Sequence, residues 1–304
     1  MSPETPGTIS VRAPGKVNLA LYVGSPDITG FHPLLTAFQA VDLWDAVTVS
    51  SAEAMSIDIS AAFDVSTIPL DSSNLVWRAH DLLCEHIEEI PSAAITIDKT
   101  IPASGGMAGG SADAAAAIIA LAELFALSPD SAHLRDLARA LGSDVPFTLV
   151  GGSAVGRGRG DVLEPFRINS PLSLVIVSSD ATLSTPEVYR RLDELRGDDK
   201  VSLPDSFSPE FMTAWRDGDA HALAPQLHND LQAAAVSMMP TLHSVLEDTL
   251  TAGALASMVS GSGPTVMGLA SDPEHASDIA QRLVEQGYRA MAVETTPLGT
   301  HPLQ

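Results

Sequence analysis

Cysteine is almost absent from this sequence. Cys84 is the only cysteine in 304 residues, which excludes a disulfide within the chain and a cysteine-based metal cluster. We therefore predict a reducing, cytoplasmic location. The first ten residues, MSPETPGTIS, have neither a basic segment nor an apolar core, so they predict no signal peptide.

Positive charge is also scarce. The chain has 16 Lys and Arg residues against 38 Asp and Glu residues, which gives a formal net charge of −22 and an isoelectric point near 4.5. Nucleic acids and anionic membrane surfaces select basic proteins, so we expect neither as a partner. A small nucleotide is not excluded, because its site needs only a local group of donors.

Long hydrophobic runs are missing, although hydrophobic residues make up 45% of the chain. The most apolar predicted helix, near residues 114–127, contains Glu123 and is too short to span a bilayer. We predict that this helix is buried in a core. The length suits one large domain or two medium ones.

The periodicity of the hydrophobic residues predicts an α+β fold. Alternating or continuous apolar runs indicate strands, and apolar residues three and four apart indicate helices. The predicted strands cover 8–13, 17–23, 45–51, 55–60, 93–100, 172–179, 255–260, 265–270 and 289–294. The predicted helices cover 74–87, 114–127, 131–142, 186–195, 211–235, 240–252 and 272–286. Because strands and helices mix in two groups, we predict two α+β domains, residues 1–165 and 166–304.

A glycine-rich segment, IPASGGMAGGSADAAAA, occupies residues 101–117. Four glycines fall within six residues, and a run of alanines, the best helix formers, follows. This order predicts a loop that leads into a helix, with Ser111 as the N-cap. The free N–H groups and the positive end of the helix dipole suit a phosphate. A tight turn that only packs a small-residue helix is the alternative.

Two polar segments could carry chemistry. In APGKVNL, Lys16 and Asn18 are two residues apart and project from one face of a strand, either as solvated surface or as functional groups. In LGSDVPF, Asp144 lies two residues before Pro146. It is either a helix N-cap or a carboxylate on a rigid loop that accepts a substrate proton.

Aromatic residues and a second glycine turn form a further group of candidates. Phe31 and His32 lie on a predicted loop, and Tyr189 lies on a predicted helix, where each has a structural interpretation as well. Together, aromatic rings can stack on a base while an imidazole bonds its edge. The segment SGSGPTV (260–266) predicts a hairpin turn or a second backbone cradle. It is not a dinucleotide fingerprint, because no helix follows it.

Three motifs in this order, APGKVNL, PASGGMAGGSA and VSGSGPTV, resemble those of the GHMP kinase superfamily. The resemblance runs from near residue 10 to near residue 295. It implies a two-domain GHMP kinase fold of the α+β class, with the active site in the cleft between the domains. It also implies ATP-dependent phosphorylation of a small-molecule alcohol. The segments NLVWRA, LGSDVPF, GGSAVGRGRGD and HNDL resemble the branch that phosphorylates the 2-hydroxyl of a cytidine-diphosphate-linked methylerythritol in the non-mevalonate isoprenoid route.

The same resemblance implies roles for individual residues. Asp144 would act as the base and Lys16 as its electrostatic partner. ATP would be bound by Asn74, Leu75, Pro102, Ala103, Ser104, Gly105, Gly106, Met107, Ala108, Gly109, Gly110, Ser111 and Ala112. The substrate would be bound by Asn18, Phe31, His32, Thr185 and Tyr189. Mg2+ is expected with ATP, and Ser111 is the candidate protein ligand.

Alternatives remain open at this point. The chain could be another GHMP kinase that acts on homoserine, mevalonate or a sugar, or a non-catalytic ligand sensor of the same fold. A dehydrogenase is disfavoured by the failed dinucleotide fingerprint. A monomer and a homodimer are both compatible with the sequence. The glycine-loop hypothesis predicts that Gly109→Val weakens ATP binding before it affects the fold.

Overall fold

The fold consists of two antiparallel-rich β-sheets with helices packed on them. The computed structural model describes residues 7–86, 91–103, 105–127 and 131–303. Its strands are β1 (Ile9–Val23), β2 (Leu34–Ser51), β3 (Ser56–Ala61), β4 (Ala93–Lys99), β5 (Ser153–Arg157), β6 (Val162–Phe166), β7 (Ser173–Ser178), β8 (His228–Asn229), β9 (Ala256–Val259), β10 (Val266–Ala270), β11 (Arg289–Glu294) and β12 (His301–Pro302). Its α-helices are α1 (Leu75–His86), α2 (Gly109–Leu124), α3 (Ser131–Leu141), α4 (Val145–Val150), α5 (Thr185–Arg196), α6 (Pro209–Asp217), α7 (Ala220–Leu223), α8 (Gln232–Met238), α9 (Thr241–Thr251) and α10 (Pro273–Glu285).

The first sheet has the strand order β12-β1-β2-β4-β3, with β5, β6 and β8 added beside this path. β1 and β2 are long antiparallel partners, and β1 replaces the two separate strands predicted for 8–13 and 17–23. β1 continues through Pro14, Gly15 and Lys16, with two register shifts, between Pro14 and Gly15 and between Asn18 and Ala20. As a result, Lys16 lies in the middle of a buried strand instead of at its start.

Helix α2 is surrounded by the first sheet and by α1, α3 and α4. Most of its residues are buried alanine, isoleucine and leucine, which is typical of a helix in the core, and the prediction of a buried helix is confirmed. Its small alanine side chains allow close approach to β1 and β2. The helix begins at Gly109, and Ala108 precedes it with a left-handed backbone (φ 58°), so the prediction of Ser111 as the N-cap is wrong.

The second sheet has the strand order β11-β7-β10-β9 and is antiparallel throughout. The predicted hairpin between β9 and β10 and the predicted strand and helix at the C-terminal end are confirmed. A continuous helix over 211–235 is wrong. Gly218 ends α6 with a left-handed backbone, and a 3-10 turn that contains Pro225 separates α7 from β8.

The two sheets are tied together by the second half of the chain. β8 pairs in parallel with the end of β1, and β12 pairs antiparallel with its beginning. Trp215 on α6 is fully buried, and its indole N–H donates to Gln39 Oε1 on β2 at 2.9 Å. The domain boundary near residue 165 stays a prediction. No helix within the described residues is both long and apolar enough to cross a membrane.

Candidate active site

A cleft of about 1040 Å³ lies where the two sheets meet. Most of the predicted site residues line it: Lys16, Asn18, Phe31, His32, Leu75, Pro102, Ala103, Gly105, Gly106, Ala108, Gly109, Gly110, Ser111, Asp144, Thr185 and Tyr189. The structure therefore brings together residues from six separate parts of the sequence.

Three predicted ATP-site residues do not line the cleft. Asn74 is buried and its amide is already used: Oδ1 caps α1 by accepting from Val76 N at 3.0 Å, and Nδ2 donates to Pro69 O. Met107 and Ala112 are fully buried and belong to the hydrophobic core. Ser104 lies outside the described residues.

The glycine loop is clamped against the turn between β9 and β10. Thr265 Oγ1 donates to Gly105 O at 2.6 Å, and Ser260 Oγ donates to Gly106 O at 2.8 Å. Gly105 and Gly106 both have positive φ, and a Cβ on either would lie within 2.8 Å of a carbonyl oxygen of the turn. Only glycine allows this approach, so the two glycine motifs form one rigid wall of the cleft.

In the first turn of α2, a side chain at Gly110 would point into the cleft, and a side chain at Gly109 would point away from it. A Cβ at Gly110 would have 3.9 Å to its nearest neighbour, Leu75, and the residue is exposed in the cleft. A Cβ at Gly109 would point inward, 3.2 Å from Ile101 and 3.5 Å from Lys99 Nζ. The expectation that Gly109→Val affects ATP before the fold is therefore corrected: it would first disturb the packing of α2.

Lys16 is buried at the bottom of the cleft. Its Nζ donates to Asn18 Oδ1 at 2.7 Å and to Gly106 O at 3.2 Å, and Asn18 Nδ2 donates in turn to Thr36 Oγ1. Burial lowers the pKa of Lys16 below its usual range, and the negative charge of Asp144 opposes part of this effect. The ammonium is thus oriented by polar groups instead of being solvated surface.

Asp144 precedes α4, but its side chain makes no capping hydrogen bond. One carboxylate oxygen, Oδ2, lies 3.8 Å from Lys16 Nζ, and the side chain is 33% exposed to the cleft. The position is that of an N-cap, yet the carboxylate is left available to a ligand. Burial, and then the charge of Asp144, raise the pKa of the Tyr189 hydroxyl, which therefore stays protonated over the usual pH range.

Phe31 is presented by a closed turn. Asp27 Oδ1 accepts hydrogen bonds from the backbone and hydroxyl of Thr29 and from Phe31 N, and Asp27 N donates to Phe31 O at 2.8 Å. The Phe31 side chain is about half exposed, and the Arg159 guanidinium lies 3.4 Å from its ring centre. The turn holds a flat apolar surface at the edge of the cleft.

His32 and Tyr189 pack together next to Phe31. Their ring centres are 5.1 Å apart, and His32 Nε2 lies 2.8 Å from Asp193 Oδ1. Sequence reasoning missed Asp193, although Thr185, Tyr189 and Asp193 follow one another at four-residue intervals on α5 and so share one face. Thr185 Oγ1 bonds Ser262 Oγ at 2.8 Å, which ties the start of α5 to the turn between β9 and β10.

A buried ion triad supports the glycine loop from below. Lys99 Nζ lies 2.6 Å from Asp45 Oδ2 and 2.7 Å from Asp113 Oδ2, and Asp45 Oδ1 accepts from the backbone of Thr100 and Ile101. Burial by itself would lower the pKa of Lys99, but the two carboxylates outweigh it and raise the pKa. Sequence reasoning missed this triad, because its members lie on β2, β4 and α2.

Asp113 is the member of the triad whose carboxylate is least well satisfied. Burial raises the pKa of its carboxyl to about 8, although Lys99 opposes the shift. Its Oδ1 is buried and has no hydrogen-bond partner among the described residues. Two of the three lysines in the chain, Lys16 and Lys99, are thus buried around the glycine loop, and the third, Lys200, is exposed.

No metal site can be built from protein ligands alone in the described part of the chain, where no group of three or more His, Cys, Asp or Glu side chains could hold an ion. The Ser111 side chain reaches the cleft at the first turn of α2. A metal that arrives on a phosphate ligand needs few protein ligands, so this donor set is compatible with a Mg2+–nucleotide.

The fold and this cleft define the class of protein. Residues 74–152 match the family described as GHMP kinases N terminal domain, and residues 211–289 match GHMP kinases C terminal. The chain belongs to the GHMP kinase family and has the two-part α+β fold of that family.

At the level of whole proteins, the chain is similar to proteins named 4-diphosphocytidyl-2-C-methyl-D-erythritol kinase. The one from Mycolicibacterium gilvum (strain PYR-GCK) is 44% identical over 295 residues, which cover 96% of this chain and 91% of that protein. The one from Nocardioides sp. (strain ATCC BAA-499 / JS614) is 44% identical over 296 residues, 96% of this chain and 98% of that protein. A crystal structure of 4-(cytidine 5'-diphospho)-2C-methyl-D-erythritol kinase superposes with a TM-score of 0.77 at 31% identity, over 94% of this chain and 99% of that one.

Proposed function

We propose that this chain transfers the γ-phosphoryl group of ATP to the 2-hydroxyl of 4-diphosphocytidyl-2-C-methyl-D-erythritol, in the non-mevalonate isoprenoid route. The observation that carries the proposal is the Lys16–Asp144 pair, with 3.8 Å between Nζ and Oδ2, in one cleft with a helix N-terminus and an aromatic–imidazole cluster. The similarity to curated kinases of that name over nearly the whole chain supports the choice of substrate.

ATP is assigned to the side of the cleft formed by the glycine loop and α2. The N-terminus of α2 offers unpaired backbone N–H groups and the positive end of the helix dipole, which favour a triphosphate. Gly110 leaves the approach to these donors open. MgATP is the co-substrate, and the Ser111 hydroxyl is the protein group that would contact its Mg2+, whose charge would offset that of the phosphates.

The cytidine is assigned to the opposite side of the cleft. Phe31 and Tyr189 would stack on the pyrimidine ring, and His32 would bond its edge. Asn18 and Thr185 would meet the polar groups of the remainder of the substrate. With the cytosine on one side of the cleft and the triphosphate on the other, the acceptor hydroxyl would lie between them, beside Asp144.

Phosphoryl transfer then needs one proton acceptor and one local cation. The Asp144 carboxylate accepts the proton of the 2-hydroxyl as its oxygen attacks the γ-phosphorus, and ADP leaves with the former bridging oxygen. The acceptor is a tertiary alcohol and a weak acid, so the charge that develops on its oxygen must be stabilised. The Lys16 ammonium, held in place by Asn18 and Gly106 O, stabilises this negative charge with its own positive charge and needs no reorganisation to do so.

The test is ADP release by the purified protein with MgATP and the cytidyl substrate, with homoserine and mevalonate in parallel. We expect turnover of the cytidyl substrate alone, and a fall in kcat of about 10²–10⁴-fold in Asp144→Asn. Asp136→Asn, an exposed carboxylate paired with Arg139, is the matched control and should keep wild-type turnover. Turnover of another acceptor would overturn the substrate, and ATP binding without any turnover would favour a sensor.

A further inference from the structure

The imidazole of His32 is held in one orientation by α5. Its side chain is only 8% exposed, its ring packs against Tyr189, and its Nε2 lies 2.8 Å from Asp193 Oδ1. An ionised carboxylate only accepts hydrogen bonds, so the proton of the neutral ring must be on Nε2. The other nitrogen, Nδ1, is then an acceptor, and it has no hydrogen-bond partner among the described residues.

We propose that Asp193 selects cytosine over uracil by fixing His32 with its proton on Nε2 and its Nδ1 as an acceptor toward the cleft. This inference rests on the proposed function, which places a pyrimidine against His32. Cytosine carries an exocyclic amine, a donor, at the position where uracil carries a carbonyl oxygen, an acceptor. An Nδ1 acceptor bonds the amine of cytosine and faces the oxygen of uracil with no proton between them.

Asp193 is therefore a positioning residue that acts through His32. Its place on α5 supports this, because it follows Tyr189 by one helical turn and so shares the face that carries the ring contact. The carboxylate fixes both the direction of the imidazole ring and the location of its proton. Without it, the ring could present either a donor or an acceptor to the base, and the discrimination would be lost.

The test compares the cytidine substrate with its uridine counterpart in wild type, Asp193→Leu and Asp193→Asn. In wild type we expect kcat/KM to favour the cytidine form by at least about 100-fold, as for sites that bond a polar group of the correct substrate. Asp193→Leu should reduce this ratio at least about tenfold, mainly through a higher KM for the cytidine form, with the KM for ATP unchanged. Asparagine can accept or donate, so Asp193→Asn should lie between the two.

Glu194→Gln is the matched control, because this neighbouring carboxylate on α5 is exposed and pairs with Arg190 and Arg191. It should keep the wild-type ratio within about twofold. A second arm needs no substrate: ¹H–¹⁵N correlation of the histidine side chains should show a protonated Nε2 for His32, assigned by its loss in His32→Gln. Asp193→Leu should lose this signal through faster proton exchange.

The outcomes separate the two levels of inference. If wild type is active on the cytidine form and the preference for cytidine over uridine persists in Asp193→Leu, base selection by Asp193 is overturned and the proposed function is not. A wild type in which Nδ1 carries the proton would overturn the hydrogen-bond assignment. Turnover of neither pyrimidine substrate would overturn the proposed function and base selection with it.

Discussion

Lys99→Met removes the cation of the buried triad and is the most stringent test of how the glycine loop is supported. Two carboxylates, Asp45 at 0% and Asp113 at 6% side-chain exposure, would then face each other without an ammonium between them. Removal of one partner of a buried ion pair costs about 3–5 kcal/mol, because an uncompensated charge remains. At about 2–4 °C per kcal/mol, or somewhat less for a chain of this length, the expected fall in Tm is about 5–15 °C.

The pH dependence of this loss has a definite sign. In the variant, the folded-state pKa of Asp113 rises further above the unfolded value, since burial and the repulsion by Asp45 are no longer opposed by Lys99. Groups of this kind stabilise the fold when protonated and destabilise it as the pH rises through the folded pKa. Because the pKa of Asp113 is about 8 in the wild-type triad, the folded variant and the folded wild type bind different numbers of protons only near and above that pH. The fall in Tm should therefore be larger at pH 9 than at pH 7, as measured by thermal unfolding at both values.

Two controls accompany the measurement. Lys200→Met changes an exposed lysine and should alter stability by no more than about 0.5 kcal/mol. Lys99→Met combined with Asp113→Asn leaves a single carboxylate, Asp45, which still accepts two backbone N–H groups, and should recover at least half of the lost Tm. A Tm of Lys99→Met within 2 °C of wild type at pH 8 would refute the argument that the triad is a coupled ionic unit.

The remaining predictions concern ATP and the proposed roles of Lys16 and Asp144. Gly110→Val should raise the KM for ATP at least about tenfold with a Tm close to wild type, because Gly110 is exposed in the cleft; unchanged ATP kinetics would contradict the cradle. Gly109→Val should instead lower the Tm, since its side chain would collide with Ile101, and a stable variant with impaired ATP binding would contradict this orientation. The kcat of wild type should fall at alkaline pH as Lys16 loses its proton, at a pH below that of an ordinary lysine because burial lowers its pKa and Asp144 only partly opposes this. A kcat that stays constant up to the pH at which an ordinary lysine loses its proton would refute this role of Lys16.

Sequence patterns were informative wherever a property is local. The alternation in β1 and in residues 45–51 of β2, the buried α2 and the hairpin of β9 and β10 follow from side-chain patterns and were predicted correctly in type, whereas residues 34–44 of β2 were not predicted as a strand. The failures were local too. Two strands were predicted over 8–13 and 17–23 where one continuous strand with two register shifts is found, and Ser111 was predicted as a cap two residues beyond the actual start of α2. Boundaries of this kind depend on tertiary packing, which can override a residue's own preference.

The sequence by itself determined which chemistry was available: glycines that permit close backbone approach, an alanine helix, and a lysine and a carboxylate in two separate polar segments. Only the tertiary structure decided which of these groups meet. Lys16 approaches Asp144 across 128 residues, and Lys99 joins Asp45 and Asp113 near the loop, because α2 packs on the sheet that contains β1, β2 and β4. The orientation of Gly109 toward Ile101 and the contact of Asp193 with His32 were likewise decided there. The physical reason is that each is a long-range contact, set by the burial of strands and helices against each other and not by the spacing of residues along one element.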